Sequence, residues 1–398
     1  MVRVEVGNSS RSKFMSILKL TFSLAGRLTL VSCLLAIPLL FEQGSVYGQT
    51  APAGALFPAS GYDSANNIIV DDWQRIEDDS FVVTAELTSE VAPAIENNRV
   101  VWQDARFGPG EIFFKDLASG QSVNLTHSPK WESTPDIAGD VVIWRDGYDK
   151  VGVHGTFLST GELFTVTTGF GDVASPRVSN NYVVWAAHLP DQNDWHIYGF
   201  DLNTRSQITI AAGPGIAPTV NIDQELVVWS TRDGHLFLYN RNDRSTQQIG
   251  ELTSTENPDV SAVDRLIVWQ DRRNNNWDIY GWDLVANGER VLVNSPVAQA
   301  MPRIAHGLVA FQSQILLSSW KIELYDLNSK STFPITDNSN VQASAVTDGK
   351  TVVWEDNRNH QTDLYGFVWA GSIPLMPRYT ITAPSQLQVG AFPGGLVR

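Results

Sequence analysis

Short apolar runs separated by polar turns follow one another from about residue 80 to residue 370. Each run has three to six residues, is rich in β-branched and aromatic types, and ends at Asn, Asp, Gly or Ser. After residue 60, no longer apolar segment has the 3.6-residue period of a helix. The pattern therefore predicts an all-β chain built from short strands.

One apolar run recurs seven times and ends each time in an aromatic residue. These residues are Trp102, Trp144, Trp185, Trp229, Trp269, Phe311 and Trp354. Their successive spacings are 42, 41, 44, 40, 42 and 43 residues. A fixed period in this range is typical of solenoids and propellers, in which no unit can bury its own hydrophobic faces alone.

Each repeat reads as four strands, which we label a to d. Strand b is apolar on consecutive residues, as in Val352-Val353-Trp354, and such a strand is buried on both faces. Four-stranded sheets packed face to face around an axis provide that environment and leave only short edges. We therefore predict a single β-propeller. A proline at the start of strand a recurs at 93, 135, 176, 218, 258 and 302.

The repeat resembles the TolB-like β-propeller repeat, with V-V-W-x-D-x-R followed by D-I-Y-x-x-D-L. The resemblance covers roughly residues 80 to 370 and implies an exported propeller, usually with six blades. Unit three has Ala187 and unit six has Ser313 where unit one has Asp104. The Asp and Arg of the motif are therefore not a repeated active site. Residues 49–80 are too few for the N-terminal α/β domain of TolB, so its envelope role is not carried over.

Seven units favour seven blades, and six blades plus a stray unit is the alternative. The last unit, from Ala343 to Trp369, clearly shows only three strands. The segment from Phe81 to Glu86 reads as a fourth strand, and its pairing with the last unit would close the ring. A rival fourth strand is the segment from Tyr379 to Thr382.

The first 48 residues are typical of a secretory signal peptide. Five basic residues precede an apolar stretch from Leu28 to Phe41, which is short for a membrane span. The only cysteine, Cys33, lies in this segment, and the sequence leaves its lipidation open. We expect a signal peptide at 1–48, a linker at 49–79, the propeller at 80–371 and a C-terminal tail at 372–398. The protein would then be periplasmic, on the cell surface or extracellular.

The chain is acidic, with a formal net charge of −15. Without residues 1–48, 23 Lys and Arg would face 41 Asp and Glu, a net charge near −18. Such a surface repels phosphate backbones and acidic lipids, so neither nucleic acid nor a membrane surface is an expected partner. The sequence predicts no membrane span after the leader.

Catalytic and metal-binding motifs are sparse. The sequence has no G-x-S-x-G elbow, and its seven histidines lack metal-ligand spacing. The Asp- and Asn-rich loops at 271–276 and 356–359 lack the order of an EF-hand, so their polar side chains are expected to tie down turns. We predict no cofactor and no metal.

Two carboxylates are the candidates for an enzyme. Asp136 and Asp259 follow strand-a prolines and could face the mouth of the central channel, where some propeller enzymes cleave sugars. Arg177 and Arg303 hold the equivalent place in other units. We therefore expect the four residues to be salt-bridged around the channel rim, with a secreted glycan-active hydrolase or lyase as the alternative function.

Three tryptophans are the candidates for a binding surface. Trp195, Trp277 and Trp320 stand just before strand c in units three, five and six. The b–c and d–a loops lie on one face of a propeller, here called the loop face, so these indoles would share it with the channel residues. Each ring could instead cover its own hairpin. We predict an exported, non-catalytic scaffold that binds a protein or cell-envelope polymer such as an extracellular polysaccharide; a purely structural module is a further reading.

Overall fold

The computed structural model describes residues 80–371, apart from 85, 87, 148–150, 190, 193, 317–318 and 337–340, together with a few short strands elsewhere. The described part is all β, and seven four-stranded antiparallel sheets form the blades of a propeller. Seven blades are therefore confirmed, and six blades plus a stray unit was the wrong alternative.

The strands of each blade follow in chain order from a to d. Blade 1 has Glu90–Glu96, Arg99–Asp104, Glu111–Asp116 and Ser122–Asn124. Blade 2 has Glu132–Ala138, Val141–Asp146, Val151–Phe157 and Leu163–Phe170. Blade 3 has Asp172–Ser179, Tyr182–His188, His196–Asp201 and Ser206–Ala211. Blade 4 has Ile216–Asp223, Leu226–Thr231, Leu236–Asn240 and Ser245–Ile249. Blade 5 has Thr255–Ser261, Leu266–Asp271, Asp278–Asp283 and Gly288–Val293.

The last two blades differ in how they end. Blade 6 has Gln299–Ala305, Leu308–Leu316, Ser319–Asp326 and Ser331–Pro334. Blade 7 has Gln342–Thr347, Thr351–Asp356 and Asp363–Val368, and its fourth strand is Phe81–Val82 from the start of the propeller. The chain therefore closes its ring by joining its first strand to its last blade.

Several backbone hydrogen bonds support this closure. Phe81 and Val82 lie opposite Gly366 and Tyr365 in the antiparallel pair. The amides of Val83 and Thr84 donate to the Leu364 carbonyl at 2.8 and 3.1 Å. The predicted pairing is confirmed. The rival strand is not, because Thr380–Ile381 pairs with Ile68–Ile69 instead.

The aromatic residue of strand b is the centre of each blade's packing. Trp102, Trp144, Trp229 and Trp269 are all buried as predicted, at most 4% exposed. Each packs in a cluster that contains residues of a neighbouring blade, as Trp185 of blade 3 does with Ile143 of blade 2. The apolar strand b is thus buried on both faces, because a blade covers it on either side.

A bulge interrupts strand a in every blade. In six blades the bulged residue has a positive φ and precedes the recurrent proline, or Ala345 in blade 7. Blade 4 departs from this pattern, because three residues rather than two lie between its flanking partners Ile216 and Val220. Val220, and not Pro218, therefore takes the proline's place opposite the strand-b tryptophan.

A separate unit contains the remaining short strands. Arg3–Gly7 pairs with Ile17–Thr21, and Ile68–Ile69 pairs with Gly61–Tyr62 and Thr380–Ile381. The rest of 1–48, 49–79 and 372–398 lies outside the described residues, so the signal peptide, linker and tail stay predictions. In the part of the chain that is described, no helix could cross a membrane.

Candidate functional site

The strands a of all seven blades surround a central channel with a volume of about 880 Å³. One ring of equivalent strand-a residues lies in the channel wall. In each blade it is the residue that pairs with the strand-b residue immediately before the aromatic one. From blade 1 to blade 7 the ring contains Ala94, Asp136, Arg177, Asn221, Asp259, Arg303 and Val346. The ring is therefore polar in blades 2 to 6 and apolar in blades 7 and 1.

Asp136 and Asp259 connect their own blade to the next one. The Asp136 carboxylate accepts a hydrogen bond from the Val178 amide at 2.7 Å, and that of Asp259 accepts one from the Ile304 amide at 2.9 Å. Burial raises the pKa of Asp136 to about 6, although the charge of Arg177 and the hydrogen bonds from the Val178 and Ile137 amides lower it. Burial also raises the pKa of Asp259. Each carboxylate thus holds two blades together.

Arg177 and Asn221 continue the same connection around the ring. The guanidinium of Arg177 donates to the Asn221 side-chain oxygen at 3.0 Å and to the Pro176 carbonyl at 2.9 Å. The amide of Asn221 then donates to the Pro258 carbonyl of blade 5 at 2.7 Å. All four predicted channel residues line the same channel, but they lie within strand a rather than in the loops of its rim.

The repeated Trp, Asp and Arg of the motif form a structural unit. In blade 5 the Trp269 indole N–H donates to Asp271, which also accepts from the Arg273 amide and guanidinium. The guanidinium lies 4.2 Å from the centre of the Tyr280 ring. Blades 1 and 7 repeat the arrangement. This geometry fits the expectation that the polar side chains of the loops at 271–276 and 356–359 stabilise turns.

Blade 3 shows what the Asp contributes. Ala187 stands in its place, and the buried indole N–H of Trp185 has no hydrogen-bond partner in the described structure. The described residues also contain no group of three or more His, Cys, Asp or Glu that could hold a metal ion.

The three candidate tryptophans occupy equivalent places on the loop face, and each is half-buried. Trp195 and Trp277 immediately precede strand c, whereas Trp320 is the second residue of a longer strand. The Trp195 ring meets His188 edge-on at 4.9 Å, and the Arg272 guanidinium lies 5.8 Å from the Trp277 ring centre. Each indole therefore covers its own hairpin and leaves part of its surface exposed to solvent.

Sequence reasoning missed a larger set of exposed apolar side chains on the loop face. They lie in the b–c and d–a loops or, for Ile315, at the end of strand b beside such a loop, and Phe107 is 70% exposed. The set consists of Phe107, Trp131, Leu189, Val297, Ile315 and Val341. The opposite face, formed by the a–b and c–d turns and the strand ends beside them, exposes Leu163, Val263, Val285 and Val368. Large apolar residues within otherwise polar loops were the signal in the sequence.

Hydrogen bonds fix two neighbouring loops of the loop face against each other. The Asn276 side chain donates to the Ser295 and Val297 carbonyls, and the Gln299 amide donates to the Trp277 carbonyl at 2.6 Å. The b–c loop of blade 5 is thereby fixed against the loop that enters blade 6. Trp277 and Val297 lie on this shared segment of the loop face.

No protein-family model matches the chain, and no curated protein matches it in sequence. Similar solved structures include the acylaminoacyl peptidase of Pyrococcus horikoshii, with a TM-score of 0.57, 13% identity and 73% of this chain covered. The match covers 53% of that enzyme, so this chain spans about half its length. The propeller domain of the Pyrococcus furiosus Trilobed protease has a TM-score of 0.55 and 14% identity, covering 74% of this chain and 99% of that domain.

Oligogalacturonate lyase of Vibrio parahaemolyticus is also similar, with a TM-score of 0.56 and 10% identity, covering 77% of this chain and 95% of the enzyme. TolB from Acinetobacter baumannii has a TM-score of 0.43 and 12% identity, covering 68% of this chain and 76% of TolB. Because proteins with such different activities share the propeller fold, these likenesses show the fold alone.

Proposed function

We propose that this protein is an exported, non-catalytic propeller that binds a partner protein through its loop face. The observation that carries the proposal is the unequal distribution of exposed apolar side chains between the two faces. The loop face exposes two aromatic residues, Phe107 and Trp131, beside its aliphatic ones, whereas the large apolar residues described as exposed on the opposite face are all aliphatic. Exposed apolar surface rimmed by polar groups is typical of protein-binding sites.

The chemical types in this set favour a protein over a cell-envelope polysaccharide. Four of its six members, Leu189, Val297, Ile315 and Val341, are aliphatic. Aliphatic side chains gain from burial against apolar groups of a partner, which a hydroxyl-rich sugar chain offers sparsely. Phe107 and Trp131 would supply the aromatic anchors that dominate protein interfaces.

The channel supports a binding role over catalysis. Asp136 and Asp259, the candidate acid and base, each accept a hydrogen bond from an amide of the next blade. A general acid must exchange its proton with substrate, and a carboxylate engaged in holding two blades together is poorly suited to that. Export is proposed from the basic and apolar pattern of residues 1–48.

A capture experiment tests the proposal. The chain without residues 1–48 is immobilised and exposed to native envelope extract, in parallel with a Phe107→Ser, Ile315→Ser variant of the loop face. The matched control, Val263→Ser, Val285→Ser, removes exposed apolar side chains from the opposite face. We expect specific proteins to be retained by the wild type and the control, and at least tenfold less by the loop-face variant. Equal retention by all three would overturn the assignment of the face.

A glycan-active enzyme is the second candidate function. It is favoured by the placement of Asp136 and Asp259 in one channel, where the pKa of Asp136 is raised to about 6. The Asp136→Asn, Asp259→Asn variant tests it against a panel of polysaccharides. A wild type that cleaves a sugar polymer, with activity abolished in a folded double variant, would replace the binding proposal.

A further inference from the structure

Arg303 interrupts the chain of contacts around the channel ring. In blades 2 to 5 the ring residue is hydrogen-bonded to the next blade, through Asp136, Arg177, Asn221 and Asp259 in turn. The next blade after Arg303 presents Val346, whose side chain cannot accept a hydrogen bond. Among the described residues, the Arg303 guanidinium has no hydrogen-bond acceptor and no ion pair at contact distance, and the charges that balance it at longer range are the carboxylates of Asp259 and Asp136.

A second polar side chain of blade 6, that of Gln312, faces the channel and also lacks a hydrogen-bond partner among the described residues. Gln312 lines the channel at the position that follows the strand-b aromatic, Phe311. In blades 5 and 7 the equivalent side chains, Gln270 and Glu355, accept a hydrogen bond from the bulge amide of the next blade at 2.8 Å. The Gln312 side chain has no such bond to any residue that the structure describes.

An apolar gap lies beside these two groups. The ring positions of blades 7 and 1 are Val346 and Ala94, and Ala345 also lines the channel there. Met301 of blade 6 is 45% exposed although it belongs to strand a and lines the channel. The channel is therefore asymmetric. Along one side its polar side chains are hydrogen-bonded to the next blade, and along the other a guanidinium without a hydrogen-bond acceptor lies next to aliphatic side chains.

We propose that this part of the channel binds a small organic monocarboxylate with an aliphatic body. A guanidinium presents paired N–H donors that match the two oxygens of one carboxylate. Gln312 supplies a further polar contact, while Val346, Ala345 and Met301 cover the aliphatic part of the ligand. The site is separate from the loop face, so it goes beyond the proposed protein-binding function.

The charges of the channel disfavour a ligand with more than one negative charge. Five carboxylates line it, and two arginines oppose them. The carboxylates are Glu96, Asp136, Asp223, Asp259 and Asp348. A doubly charged phosphate would be repelled more strongly than a monocarboxylate that places its one charge on Arg303. An uncharged amide of the same shape would lose the charge-assisted hydrogen bonds.

Titration calorimetry at pH 7.5 tests the proposal with hexanoate, hexanamide and inorganic phosphate as probes. We expect saturable binding of hexanoate to the wild-type chain and at least tenfold weaker binding of the other two. Arg303→Gln should weaken hexanoate binding at least tenfold. The control Arg205→Gln replaces an exposed arginine of a c–d turn and should bind like the wild type.

A second variant tests the gap itself. Val346→Phe keeps Arg303 and fills the adjacent space, so it should also weaken hexanoate binding at least tenfold. Thermal melting of each variant is measured alongside. No saturable binding by the wild type, or equal binding by Arg303→Gln, would overturn the proposal. An Arg303→Gln variant that no longer folds would also overturn the proposal, because Arg303 would then be needed for the stability of the propeller and not for binding a ligand.

Discussion

Gly366 of strand c in blade 7 lies directly opposite Phe81 of the closing strand. A Cβ atom added to Gly366 would come within 2.5 Å of the Phe81 ring. The ring thus lies over the glycine, where no other residue would leave it room. Gly155 of blade 2 holds Phe164 of strand d in the same way, with a corresponding distance of 2.4 Å. The closing strand therefore packs like an ordinary strand d, although some 280 residues separate it from its partner.

Gly366→Ala should loosen the closure of the ring. The added methyl group would displace the Phe81 ring, and overpacking of this kind typically costs about 1–3 kcal/mol. We expect that loss in the free energy of unfolding measured with denaturant. The control is Gly108→Ala, because a Cβ atom there would meet nothing within 4 Å. A Gly366→Ala protein as stable as the control would show that Phe81 does not hold the closure.

Trp269→Ala should strongly destabilise the propeller. Its side chain is fully buried, stacks on Tyr280 with ring centres 6.3 Å apart, and donates to Asp271. Removing it leaves a cavity and takes one hydrogen bond from the Asp271 carboxylate, for a loss on the order of 3–5 kcal/mol in the free energy of unfolding. Trp131→Ala, at an exposed tryptophan, is the comparison and should cost less than about 1 kcal/mol. A loss below about 1 kcal/mol at Trp269 would contradict the described packing.

The stability of the protein should fall as pH rises from about 4.5 to about 7. Burial raises the pKa of Glu90 from 4.5 to about 7, although the Thr84 hydroxyl donates to it at 2.8 Å. A carboxyl group whose pKa is higher in the folded protein stabilises it fully below the unfolded pKa. That contribution is lost as pH rises through the folded pKa. Asp136, with a pKa of about 6, acts in the same direction.

Glu90→Gln should remove part of this pH dependence. Glutamine keeps an oxygen acceptor for Thr84 and carries no charge, so the variant should be more stable than the wild type at pH 8, by on the order of 1–3 kcal/mol. The measurement is the free energy of unfolding at pH 5 and pH 8. The exposed Glu256→Gln serves as a control. If Glu90→Gln followed the wild-type profile, Glu90 would be charged in the folded protein at neutral pH.

Trp277→Ala should weaken partner binding more than it weakens folding. The ring is half-buried beneath Arg272, so its removal should cost no more than about 1 kcal/mol of stability. A hot-spot tryptophan loses at least about 2 kcal/mol of affinity on truncation, roughly thirtyfold in dissociation constant. Both quantities are measured on the same preparation, with the partner found by capture. Unchanged affinity with reduced stability would assign Trp277 to its own hairpin.

The repeat pattern predicted the fold because it is local and periodic. Strand b of each unit, such as Val227-Val228-Trp229, carries enough apolar residues to require cover on both faces, and seven copies at a near-constant spacing admit few architectures. The closing strand was predictable for the same reason, since Phe81 and Val82 lie in the sequence context of a strand d. Pro218 was misplaced because an extra residue in the bulge of blade 4 shifts the register and places Val220 opposite Trp229.

The sequence by itself determined the all-β class, the seven units, the buried tryptophans and the equivalence of Asp136, Arg177, Asp259 and Arg303. Only the tertiary structure decided what those residues do. Partners in the ring are about 40 positions apart, and the packing of neighbouring blades decides whether a carboxylate accepts from an amide and whether a guanidinium finds a hydrogen-bond acceptor. The exposure of Phe107 and Leu189 was likewise decided by the fold, because an apolar residue in a loop is covered or exposed according to what the neighbouring blades place beside it.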